Sequence, residues 1–230
     1  YKASTTPEDP VLGVLEALTV AANDRGLPLA GLLSQADMFI HGTTYALNAI
    51  IEGKAAKTAF LTTKGHPDIL VLREGGRAQP FNHTVAYPDP YVPRALTYEI
   101  PGRINANGEV IVSLDEDAVV DVLQELKKQN VEAIAVCLLW SVSNPEHELR
   151  LGALIAEHMP DTPLSLSHIL NPTIREYRRA SATCIDASLK PLMGRYLSSL
   201  SDRLKEAGFE GRILVMTSQG GMMDGGDLAN

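Results

Sequence analysis

Short apolar runs and amphipathic helical patterns take turns along most of this chain. That alternation restricts it to layered α/β folds. A helix is expected over 7–25, where Val11, Leu12, Leu15, Leu18 and Ala22 recur at three- and four-residue spacing before Gly26. A short helix over 29–35, a strand over 38–40, a helix over 44–52 and a strand over 57–63 follow. Beyond 112 the order resumes with a helix over 115–129, a buried strand over 131–139, a helix over 145–158 and a strand over 163–167. A helical region over 173–207, bent near Pro191, precedes a last strand over 212–217. The 115–129 pattern opens on acids and closes on Lys127 and Lys128, as the helix dipole favours. Asn144 is the expected cap of the next helix, with Pro145 at its first position.

The stretch from 73 to 112 breaks the pattern. It is rich in Gly and Pro and has no sustained period, so it reads as an excursion. A hairpin is expected within it, pairing 95–100 with 109–112 about Asn107-Gly108. Three segments result: an α/β segment over 1–72, the excursion over 73–112, and an α/β segment over 113–230.

Charge removes several classes of function. Lys and Arg number 20 against 28 Asp and Glu, a net charge of −8, so neither nucleic acid nor an anionic membrane is an expected partner. No apolar run reaches transmembrane length. Cys137 and Cys184 lack CxxC or metal-ligand spacing, so free thiols in a reducing cytoplasm are expected, with no metal ligands assigned. The first six residues lack an initiator Met and the last seven read as cut, so a fragment of a longer polypeptide is expected.

The loop His41-Gly42-Thr43-Thr44 joins a strand directly to a helix. A helix start leaves backbone N–H groups unpaired, and Gly42 would let an anion approach them. Thr43 or Thr44 could add a hydroxyl, and His41 could donate a hydrogen bond or move a proton. The simpler reading keeps Thr43 as a cap and His41 as a buried strand-end histidine. Ser218-Gln219-Gly220-Gly221 also follows a strand and is read with the same geometry, or as an ordinary loop before another helix. In Arg175-Glu176-Tyr177-Arg178-Arg179, either Arg175 or Arg179 could clamp a carboxylate, against the alternative of a solvated helix face. His66, His83, His147, His158 and His168 are scattered, with His147 and His158 expected on the surface. Neither GxxxxGK[ST] nor GxGxxG is present.

Taken in order, these motifs resemble the hydantoinase A / 5-oxoprolinase / acetone carboxylase family. The likeness runs through His41-Gly42-Thr43-Thr44, Asn48-Ala49-Ile50-Ile51-Glu52, Leu61-Thr62-Thr63-Lys64-Gly65, and Asn144-Pro145-Glu146-His147-Glu148. It continues in Ser165-Leu166-Ser167-His168, Arg175-Glu176-Tyr177, Leu189-Lys190-Pro191, Tyr196-Leu197 and Ser218-Gln219-Gly220-Gly221. Leu47, Ile169, Arg178 and Gln219 depart from the family's usual Thr, Glu, Glu and Asn.

The resemblance implies a portion of an actin/sugar-kinase-like (ribonuclease H-like) architecture, with mixed sheets and packed helices. It implies an ATP- and Mg²⁺-dependent enzyme whose phosphate loops lie before Tyr1 and beyond Asn230. This chain alone would then bind the cofactors incompletely and not hydrolyse ATP. The expected function is the N-terminal part of a hydantoinase A-type hydrolase of cyclic amides. The alternatives are a subunit of an acetone- or acetophenone-type carboxylase and a non-catalytic binding or assembly module. His41, Thr43 and Thr44 are the expected catalytic residues. Gly42, Asn48, Arg175, Ser218, Gly220 and Gly221 are the expected substrate or phosphate contacts. A cyclic amide or ketone is the expected substrate, and the remainder of the polypeptide or a second subunit the expected partner, in an oligomer.

Overall fold

A computed structural model describes every residue except 7, 76–78, 80, 218–219 and 226–230. In chain order its elements are α1 (Pro10–Asp24), α2 (Leu29–Leu33), β1 (Met38–His41), α3 (Tyr45–Ile51), β2 (Thr58–Thr63) and α4 (Ile69–Leu72). A 3-10 turn at Arg94–Leu96 leads into β3 (Thr97–Ile100), β4 (Arg103–Ile104), β5 (Val110–Val112), α5 (Glu116–Lys128) and β6 (Ala133–Cys137). Then come α6 (Glu146–His158), β7 (Leu164–Leu166), α7 (Ser167–Leu170), α8 (Glu176–Glu206), β8 (Arg212–Met216) and β9 (Met222–Asp224). The α/β class with mixed sheets and packed helices is thus present. Two compact units divide it: Tyr1–Lys54 with Leu192–Asn230, and Ala55–Pro191.

In the first unit β1 lies parallel to β8, and β8 antiparallel to β9. Val11, Leu33, Leu197, Leu200, Leu204 and Val215 form the core, with Phe39 and Ile213 packed against it. Helix α1 starts at Pro10, whose missing N–H costs nothing at a first position. Gly211 is obligatory: a Cβ there would lie 2.5 Å from the Asp37 carbonyl oxygen, and the next residue, Arg212, donates its N–H to that oxygen. Alternation along β1 leaves Met38 and Ile40 exposed.

The second unit is a four-stranded parallel sheet in the order β3-β2-β6-β7. Both faces are covered, so β2 and β6 are buried along their whole length. Leu61, Ile134 and Val136 pack on one face with Val119, Leu123 and Leu126 of α5 and Leu151 and Ile155 of α6. Phe60, Ala135 and Cys137 pack on the other with Leu70 of α4 and Ala180, Cys184 and Ala187 of α8. Asp115 caps α5 by accepting from the Ala118 N–H at 3.1 Å. Asn144 accepts from the Glu146 N–H at 3.0 Å, but α6 opens at Glu146, so Pro145 holds the cap position expected of Asn144. The chain enters and leaves this unit close together, where the Ala56 N–H donates to the Ser188 carbonyl at 3.0 Å.

Several expectations are corrected. Residues 97–100 join the parallel sheet beside β2 rather than a hairpin. The hairpin pairs β4 with β5, because Pro101-Gly102, with Gly102 at φ +149, turns the chain out of β3 first. Strand β7 runs straight into the unforeseen α7. The long helix expected over 173–207 is present as α8, one 31-residue element with Pro191 inside it. His147 is buried, packed beneath Gly102, where a Cβ would meet its Nδ1 at 3.2 Å.

Candidate active site

Strand β1 ends on His41, whose side chain turns inward while the following loop is exposed. Its Nε2 lies 2.7 Å from the hydroxyl of Tyr196 on α8. Burial holds the His41 pKa below its ordinary value, which keeps the ring neutral near pH 7. Burial raises the Tyr196 phenol, with the Thr43 hydroxyl beside it pulling the other way. The Tyr45 ring packs on that of Tyr196, centroids 4.9 Å apart. The loop is therefore clamped from below by an aromatic cluster that its own sequence does not reveal.

Thr43 and Thr44 stay at the surface. The Tyr45 N–H donates to Thr43 Oγ1 at 3.1 Å, so Thr43 satisfies one of the helix's unpaired amides. Asn48 Nδ2 reaches back towards Thr44 Oγ1 at 3.5 Å. Helix α3 has seven residues, and its first N–H, that of Tyr45, is already spent on Thr43. Side chains add further polar groups. A cavity of about 540 Å³ is lined by Thr43, Thr44, Tyr45, Asn48, Glu52 and Lys54, among others. Lys54 Nζ is 2.5 Å from Glu52, which holds the ammonium pKa above its ordinary value. Two hydroxyls, a carboxamide and an ammonium suit a phosphoryl group, a carboxylate or a polarised carbonyl oxygen.

The structure brings Thr43, Thr44 and Asn48 together at that cavity, whereas His41 and Gly42 do not line it. Gly42 faces β8, where a Cβ would meet Met216 Sδ at 3.6 Å. Gly220 and Gly221 belong to a hairpin turn into β9, with the Thr217 N–H donating to the Gly221 carbonyl at 2.8 Å. They do not lead into a helix, so the likeness to the His41-Gly42-Thr43-Thr44 loop is corrected. Both loops nonetheless leave the same end of the sheet, because His41 pairs with Val215 in a parallel register. Ser218 lies outside the described residues. Arg175 belongs to the second unit and is exposed.

The second unit holds a buried polar cluster that the motif reading touched only in part. Glu148 is fully buried and accepts from the Leu138 N–H, Ser167 Oγ, the His168 N–H and His168 Nδ1, at 2.6–3.1 Å. These bonds hold its pKa below the ordinary value although burial works to raise it. Arg179, also fully buried, spends its donors on Ser167 Oγ and on the carbonyls of Leu138, Thr173 and Ile174. It is neither a carboxylate clamp nor part of a solvated face. Glu148 shares a helical stripe with Leu151 and Ile155, and an acid on an apolar stripe is the signal that would have found it.

Among the described residues no three of His, Cys, Asp and Glu converge to hold a metal ion. Glu52 alone supplies a carboxylate at the cavity, and it is paired with Lys54. The cavity's donors fit a phosphate. Its acceptors do not fit a magnesium ion.

Comparison with known proteins follows the same outline. The family described as hydantoinase/oxoprolinase N-terminal region matches residues 1–159, and the hydantoinase/oxoprolinase family matches 179–230. Caprolactamase subunit alpha of Pseudomonas jessenii is 36% identical over 98% of this chain and 33% of its own length. The crystal structure of that ATP-dependent caprolactamase superposes with a TM-score of 0.89, over 98% of this chain and 33% of that one. The acetophenone carboxylase gamma subunit of Aromatoleum aromaticum is 32% identical over 97% of this chain and 32% of its own length. A nucleotide-free structure of acetone carboxylase, from work on ATP-dependent acetone carboxylation, superposes with a TM-score of 0.84 at 26% identity, over 96% of this chain and 33% of that one. The chain thus spans about a third of the length of these relatives. Among the described residues no helix is long and apolar enough to cross a membrane.

Proposed function

The chain belongs to the hydantoinase/oxoprolinase family, and from that premise we propose that it works within an ATP-dependent, hydantoinase A-type hydrolase of cyclic amides. The observation that carries this reading is the cavity lined by Thr43, Thr44, Asn48 and Lys54. Opening a stable amide requires that its carbonyl oxygen be made a better acceptor of charge. ATP supplies that activation through its phosphoryl group. The Thr43 and Thr44 hydroxyls and the Asn48 carboxamide donate to the oxygen that gains charge. Lys54 offsets the added negative charge and is itself steadied by Glu52. His41, neutral and bonded to Tyr196, fixes the loop that presents Thr43 and does not itself meet the substrate.

A second reading has the same cavity stabilise the oxygen of a ketone during carboxylation. The 32% identity to the acetophenone carboxylase gamma subunit supports it. One assay separates the two: phosphate release from ATP by the whole protein, with hydantoin, 5-oxoproline or caprolactam, against acetone or acetophenone with bicarbonate. Amide-dependent release supports hydrolysis. Release only with ketone and bicarbonate replaces it with carboxylation. No release with either set, together with copurification of a partner chain, favours a binding or assembly module. The 230 residues assayed alone are expected to release no phosphate, since they span about a third of the length of the ATP-dependent relatives.

A further inference from the structure

In an open parallel sheet, ligands gather at the carboxyl ends of two neighbouring strands whose following connections run in opposite directions. The second unit has one such place. From β2 the chain crosses to β3 on one side, with α4 on the face of Phe60. From β6 it crosses to β7 on the other side, with α6 on the face of Leu61. The gap between the ends of β2 and β6 is therefore the switch point. Thr63 Oγ1, accepting from the Leu139 N–H at 3.0 Å, ties its base.

A cavity of about 290 Å³ opens there, within the second unit and separate from the one lined by Thr43. Gly65 and His66 follow β2, and Leu139 follows β6. Ile69 and Leu72 of α4 supply an aliphatic wall, while Arg73, Glu176 and Tyr177 supply polar groups. Asp68 is already paired with Arg94 at 3.0 Å. By contrast, the side chains of Arg73 and Glu176 have no hydrogen-bond or ion-pair partner among the described residues. Backbone strain collects at the same spot. Arg73 closes α4 at φ 57 and ψ −129, and Trp140, next after Leu139, has φ +59. Non-glycine residues held there are strained, and such strain clusters where a fold serves a ligand. On β2, Thr62 shares the face of Phe60, and its buried Oγ1 has no partner among the described residues.

The geometry points to a second binding site, for a small zwitterion with an aliphatic body. Arg73 takes its carboxylate, Glu176 takes its ammonium, and Ile69, Leu72 and Leu139 cover the chain between. A lactam opened by hydrolysis gives such an amino acid, so the ligand class touches the reading above, while a binding titration tests the site apart from turnover.

The test is a titration of the whole protein with 4-aminobutanoate, 6-aminohexanoate and 8-aminooctanoate, followed by amide NMR shifts. Hexanoate and hexylamine serve as single-charge controls. Shifts should concentrate at 65–73, 139–140 and 176–177, with one chain length preferred. Both controls should bind about tenfold more weakly, as loss of one charge-assisted contact requires. Glu176→Gln and Arg73→Gly should each weaken the preferred ligand about tenfold with the melting temperature unlowered. Glycine accepts the left-handed backbone at 73, so that variant removes the guanidinium without adding strain. Absence of shifts with every amino acid, binding of hexanoate or hexylamine equal to the zwitterions, or unchanged affinity in both variants would each overturn the proposal.

Discussion

Glu148 and Arg179, both fully buried, share one hydroxyl: Ser167 Oγ donates to the carboxylate at 2.6 Å and accepts from the guanidinium at 3.1 Å. The two charges are thereby joined through a neutral group, and β6, α6, α7 and α8 are tied at one point. Ser167→Ala removes a bond from each partner and should cost about 1–3 kcal/mol in urea unfolding. Arg179→Met leaves the carbonyls of Leu138, Thr173 and Ile174 without their donor and should cost about 3–5 kcal/mol. Losses that simply add in the double variant would contradict the shared hydroxyl, because coupled sites depart from additivity.

Stability should fall on mild acidification. Burial lowers the pKa of His41 and of His147, so the unfolded chain takes up their protons first. Their contribution is complete above the unfolded value of about 6.5 and is lost as pH falls below it. Urea midpoints should be flat from pH 8 to 7 and decline towards pH 5. A midpoint that rises over that lower range would contradict the assignment.

Charge placed in the first cavity should act on catalysis rather than on folding. Asn48 is exposed, so Asn48→Asp should change stability by no more than about 0.5 kcal/mol. It should lower kcat/KM by about 10- to 100-fold, since a carboxylate would oppose the charge that develops. Thr43→Ala should lower turnover by a comparable factor. Unchanged turnover in both variants would remove the cavity from the mechanism.

Neither thiol should react in the folded protein. Cys137 is pushed up to about 11 and Cys184 well above its ordinary value, both by burial. At pH 8 about one Cys137 in a thousand would be a thiolate, and even that one is shielded. Ellman's reagent should label two thiols in denaturant and essentially none without it.

The α/β layering was legible because apolar runs such as 133–137 and stripes such as Leu151 with Ile155 carry their period locally. The turn into α6 was legible for the same reason, as Asn144 acts within two residues. Partners distant in sequence were not. Tyr196 stands 155 residues from His41, and no local pattern announces their bond. Strand partners were hidden too: residues 97–100 have the composition of a hairpin arm, yet β2 offered a parallel edge. At the candidate site, Thr43, Thr44 and Asn48 could be singled out in the sequence, whereas Lys54 and Tyr196 enter only through three-dimensional proximity.

The Ala56–Ser188 hydrogen bond has an evolutionary consequence. A segment whose two ends meet behaves as a cassette within its host chain. Lineages can lengthen its loops, alter its chemistry or exchange it wholesale, and the flanking residues still find Lys54 and Leu192 as fixed junctions. Excision of 55–191 would then leave two ends that a short linker can rejoin.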